Sequence, residues 1–78
     1  MTRLTAAWRG GSSTGLAGWR IQFAYDPETV EAVKLRFPTN AREWNEDGKY
    51  WWVAIEWERQ LLKLFPGLEA YIRQVSLF

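Results

Sequence analysis

Neither cysteine nor histidine occurs in this chain of 78 residues, and those two absences limit its folding options more than anything it contains. A domain this short buries a smaller share of its surface than a large one does, and many of its size rely on a disulfide or metal staple. Without Cys or His that route is closed. The core has to be filled by large rings instead, and six Trp, three Tyr and four Phe are available. Each such ring buries on the order of 150–250 Å². The same absences remove thiol and imidazole nucleophiles, Ser-His-Asp triads, structural zinc and haem ligation by His or Cys. The expectation is a single small binding module, not an enzyme, with no cofactor.

Charge narrows the partners. Ten Lys and Arg against nine Asp and Glu leave +1, too balanced for a protein held on nucleic acid by charge alone. The distribution is uneven: residues 1–25 carry three Arg and no acid, residues 26–47 six acids and three bases. No stretch approaches the roughly 18 apolar residues of a membrane span. The start of the chain also lacks a basic head followed by a long apolar run, which together with the missing Cys predicts a cytoplasmic setting and no membrane partner.

Along the chain, residues 1–18 read as an N-terminal arm or hairpin strand. Gly10-Gly11-Ser12-Ser13-Thr14-Gly15 suits a flexible connection or a loop between Leu4–Arg9 and Leu16–Tyr25. A phosphate-cradling loop would need a following Lys-[Ser/Thr] and a preceding strand, and is not expected. Trp19, Ile21, Phe23 and Tyr25 alternate with Arg20, Gln22 and Ala24, the period of a strand with one buried face. Asp26-Pro27 then looks like an N-cap with proline at the first helical position, and Glu28 suits the positive end of the helix dipole. Val30, Val33 and Phe37 share a helical face and Pro38 closes the segment. A short strand is predicted over Ala41–Trp44, a turn at Asp47-Gly48, and a second alternating strand over Lys49–Ile55. From Glu56 to about Arg73 the apolar spacing is helical, with Pro66-Gly67 predicting a kink or two short helices.

The order strand, helix, strand, strand, helix predicts an α+β fold, with a three- to four-stranded sheet and two helices on one face, the N-terminal strand being the optional extra. The small αβ domain is placed at 19–73. Ile21, Phe23, Trp51 and Val53 would meet the helices. Arg20, Gln22, Arg42, Lys49, Tyr50 and Trp52 would then form an open platform, where rings stack on bases and cations meet phosphates. The competing reading is that Tyr50 and Trp52 are covered by the arm or by a second subunit.

Phe23-Ala-Tyr25-Asp-Pro27, Val30, Val33, Ala41-Arg42-Glu-Trp44 and Lys49-Tyr-Trp51-Trp-Val53 together resemble the HARP-type domain, the accessory module of annealing helicases that also occurs in small stand-alone proteins. The resemblance spans about 30 residues of mostly structural type. It implies a small αβ module that engages branched or single-stranded DNA in support of a larger machine. The chain departs from that pattern at Phe37-Pro38-Thr39-Asn40, where the family usually has a Pro-Gly turn, and it carries no ATPase motor.

The last five residues, Gln74-Val75-Ser76-Leu77-Phe78, resemble the peptide by which bacterial polymerases and repair proteins dock on the DNA polymerase sliding clamp. Only Val75, where that peptide usually has Leu, departs from it. The chemistry is readable in the residues themselves: Leu77 and Phe78 are adjacent apolar anchors for a hydrophobic cleft, and Gln74 can donate and accept at its rim. With average residue usage the match arises in about one chain of this length in a thousand. The alternative is that Val75, Leu77 and Phe78 continue the apolar face of the second helix.

Carboxylates cluster at Glu43, Glu46 and Asp47 and at Glu56 and Glu58, but helix-start and turn positions account for them and no metal site is expected. The leading expectation is a replication or repair accessory protein that docks on the clamp through residues 74–78 and meets single-stranded or junction DNA, or another replication protein, through its body. Two alternatives stand beside it. One is a phage-like inhibitor or modulator that occupies the clamp cleft without touching DNA, and the other is a homodimeric interaction module joined through the open sheet face.

Overall fold

The computed structural model describes residues 3–76. Strands β1 (Leu4–Gly11) and β2 (Ala17–Phe23) precede helix α1 (Pro27–Arg36). Strands β3 (Arg42–Asn45) and β4 (Tyr50–Ala54) follow, then helices α2 (Glu58–Leu64) and α3 (Leu68–Ser76). The four strands form one antiparallel sheet in the order β1-β2-β4-β3, so the chain is α+β as its pattern predicts. Both β2 and β3 run antiparallel to β4 and are therefore parallel to each other. Parallel strands cannot be joined by a hairpin, which is why α1 is spent on the crossover between them.

Local chemistry sets the boundaries. Asp26 caps α1, its carboxylate accepting from the Glu28 amide at 3.3 Å and from the Thr29 hydroxyl at 2.6 Å. Pro27 occupies the first turn, where no amide is needed. Phe37 leaves the helix in an extended conformation because Pro38 disfavours helical backbone in the residue before it. Between α2 and α3, Pro66-Gly67 divides the predicted helix into two.

Of the two readings of the first eighteen residues, the structure shows the hairpin. β1 pairs along β2 from Leu4↔Phe23 to Gly11↔Ala17, with an irregularity between Leu4 and Ala6. At its tip Gly15 adopts φ +86°, a conformation that glycine takes without steric cost.

One sheet face carries the main core. Trp19, Ile21, Trp51 and Val53 pack there against Val33 and Phe37, Leu61, Leu64 and Phe65 around α2, and Leu68 of α3. The predicted helix-facing set of Ile21, Phe23, Trp51 and Val53 thus lies where the alternation places it, Phe23 as a half-buried member stacked on Phe65 with ring centroids 5.4 Å apart. Trp19 is 1% exposed, and its indole N–H donates to the Glu58 carboxylate at 2.7 Å. This buried donor is therefore satisfied, as a large ring with a polar edge requires.

Candidate functional site

The opposite sheet face is the expected ligand platform; the structure buries Trp52, leaves Arg20, Gln22 and Tyr50 half-buried, and ties these side chains into internal contacts. Register places Trp8, Arg20, Trp52 and Glu43 in one row across the four strands. Trp52 is only 2% exposed. It belongs to a second small core with Ala41, Ala54 and Trp57, and its N–H donates to the Gly10 carbonyl at 3.2 Å. Glycine makes this possible: a Cβ on Gly18 would come within 2.5 Å of the Trp52 indole nitrogen and 2.3 Å of the Val53 carbonyl oxygen. The Trp52 ring is thus a packing element and has no face free to stack on a base.

Arg20 and its neighbours are engaged internally as well. Its guanidinium donates to the Gly11 carbonyl at 3.2 and 2.8 Å and lies 5.0 Å above the Tyr50 ring. Trp8 meets Tyr50 edge-on at 5.5 Å. The Asn45 amide donates to the Tyr50 hydroxyl, and the Gln22 amide donates to the Gly48 carbonyl, both at 3.0 Å. The hairpin tip curls over to β3, where the Ser13 amide and hydroxyl both donate to Glu43 at 3.0 Å. The loop amide is thus already taken by an internal anion and is not offered to a phosphate. A depression of about 410 Å³ remains between the tip, Arg20, Glu43, Asn45 and Tyr50.

Two expected platform residues lie elsewhere. Arg42 pairs with Val53 and so falls on the helix-facing side, where its side chain donates to the Phe37 carbonyl at 2.9 Å. The short strand starts one residue later than predicted, at Arg42. Lys49 sits in the β3–β4 turn at φ +54°, with its ammonium 2.8 Å from Glu46. Asp47-Gly48 does make the turn, but the left-handed residue is Lys49. Gly48 is required for a different reason, because a Cβ there would meet the Tyr50 ring at 2.4 Å.

A second concave surface opens at the edge of the helix-facing side. Two adjoining lobes of about 290 and 400 Å³ share Tyr25, Val30, Trp44 and Trp51, with Phe23 and Lys49 lining one and Lys34 the other. Tyr25 is 82% exposed and Trp44 45%. The Trp44 ring lies 5.4 Å from Trp51, and its N–H donates to Glu46 at 2.7 Å. Glu46 therefore receives Trp44 and Lys49 together, and these bonds, with the charge of Lys49, hold its carboxyl below the usual carboxylate range. Trp44 is brought to the helix-facing side by its pairing with Trp51, and because β3 is an edge strand no further strand among the described residues covers the ring.

Of the five C-terminal candidates, Gln74, Val75 and Ser76 belong to the last turn of α3, while Leu77 and Phe78 lie outside the described residues. Leu68 is buried, Tyr71 and Ile72 are half-buried, and Arg73 and Gln74 are exposed. Gln74 borders a depression of about 680 Å³ between the start of β1 and α3. Among the described residues no group of three acidic side chains is placed to hold a metal ion, and no helix is long and apolar enough to cross a membrane. Comparison with protein families, curated proteins and solved structures finds no match.

Proposed function

We propose that this chain is an accessory module of DNA replication or repair that docks on the bacterial polymerase sliding clamp through Gln74-Val75-Ser76-Leu77-Phe78, bringing its αβ body to single-stranded or junction DNA, or to another replication protein. The sequence of that pentapeptide carries the reading, and the exposure of Gln74 supports it. Within α3, Ile72 is half-buried whereas Arg73 and Gln74 are exposed, so the register-setting amide is accessible to a partner. Docking as an extended strand requires the last helical turn to unwind. Helix propagation is worth at most about 0.3 kcal/mol per residue, so three residues cost about 1 kcal/mol. Burying a Leu and a Phe contributes roughly 3–6 kcal/mol gross before ordering costs. The two anchors alone give docking weaker than about 0.1 mM, so hydrogen bonds from Gln74 and the peptide backbone have to supply the rest; weak docking suits a partner that shares the clamp with others.

The test is capture of purified clamp by the intact chain and by a chain lacking residues 74–78. Retention by the first and loss by the second is expected. Equal retention by both rejects the reading. Clamp-dependent synthesis measured with stoichiometric protein then separates an adaptor, which leaves the rate unchanged, from an inhibitor.

A further inference from the structure

The reading above leaves the body's own contact without a surface. The expected platform is occupied by its own side chains, whereas the cleft bounded by Tyr25, Lys34, Trp44 and Lys49 is open. We infer that this cleft binds single-stranded nucleic acid, a base stacking on the Tyr25 and Trp44 rings and a phosphate meeting Lys34.

Three features favour that occupant. The first is ring supply: four aromatic side chains line the cleft, and two of the four exposed large hydrophobics, Tyr25 and Trp44, are among them. Stacking on such rings tolerates any base, because every base offers a π-face. The second is charge: the charged residues lining the two lobes are both lysines, which complements an anion bearing an aromatic group. Lys49 is partly neutralised by Glu46 at 2.8 Å. Lys34 has no ion pair among the described residues, so it is the stronger phosphate partner. The third is preorganisation. The bond from Trp44 to Glu46 and the contact with Trp51 fix the indole before any ligand arrives, which lowers the ordering cost of binding. The two lobes are also of the size that ordinary ligand sites occupy.

This inference deepens the proposed function, and its test is separable from clamp capture. A fluorescein-labelled oligothymidylate of about twelve nucleotides, titrated with the full chain at low salt, should gain anisotropy and lose it as salt rises. Tyr25→Ala and Lys34→Glu alter exposed side chains and should keep the wild-type circular dichroism spectrum. Tyr25→Ala should weaken binding about tenfold, and Lys34→Glu should weaken it and flatten the salt dependence. Leu16→Ala, an exposed apolar change at the hairpin tip, should bind as wild type. Clamp capture by Tyr25→Ala should be unchanged, so the two activities fail independently. The inference is overturned if the wild-type chain does not bind the strand, or if Tyr25→Ala and Lys34→Glu both bind it normally. It is equally overturned if a labelled acidic, aromatic peptide occupies the cleft while the oligonucleotide does not.

Discussion

Truncating Trp52 to alanine asks whether the open sheet face is a platform or a second core. The ring is 2% exposed, so the substitution removes nearly all of a buried indole. At up to about 250 Å² per Trp and about 25 cal/mol per Å², the transfer loss is about 5 kcal/mol once the retained methyl is allowed for. Measured truncations of buried aromatics cost about 3–5 kcal/mol. A chain of this length has only about 4–12 kcal/mol of stability to lose, so Trp52→Ala should remove at least about a quarter of it and at the lower end unfold the domain outright. Urea denaturation followed by far-ultraviolet circular dichroism reads this without depending on the number of tryptophans. With a slope of about 1 kcal/mol per molar, the midpoint should fall by about 3 M or more. Gly18→Ala perturbs the same cluster without deleting an atom, since its methyl would press on Trp52 and on the Val53 carbonyl, at a cost of about 1–3 kcal/mol. Gly67→Ala, whose methyl would find nothing within 4 Å, is the control and should stay within about 0.5 kcal/mol of wild type. If Trp52→Ala costs less than about 1 kcal/mol, the ring is not packed as described and the open face returns as a ligand platform.

Two further predictions follow from the polar contacts. Glu58→Ala removes the acceptor of the buried Trp19 indole and should cost about 1–3 kcal/mol in the same denaturation assay, since a buried donor is left without its partner. Glu46, whose carboxyl is held low by its bonds from Lys49 and Trp44, should titrate below an ordinary glutamate when its side-chain carbonyl carbon is followed by NMR. The depressed value means that its contribution is fully present above the ordinary glutamate range and is lost as pH falls through the lowered one. The Trp44 N–H resonance should shift over that same acidic interval, and a Glu46 titration at the ordinary value would contradict the geometry.

Alternation and caps were sufficient for the elements. Trp19-Arg-Ile21-Gln-Phe23 could only be a half-buried strand, Asp26-Pro27 and Phe37-Pro38 bracket α1 through backbone chemistry that involves no distant residue, and the absence of Cys and His left apolar packing, rich in rings, without a disulfide or zinc staple. Each of these follows from interactions within a few positions along the chain. The fate of the rings depends on strand order, which local pattern does not encode. Trp52 is sealed because the hairpin brings Gly10 and Gly18 against it, and Arg42 leaves the open face because it pairs with the core residue Val53, and directly opposed residues share a face. Trp44 is left uncovered for the opposite reason, since β3 ends up at the sheet edge with no further strand beyond it among the described residues. Sequence therefore decided which residues form strands and helices, and it alone carries the pentapeptide on which the proposed docking rests. Only tertiary structure decided which aromatic surface stays open, because solvent exposure is a property of neighbours brought together from far along the chain.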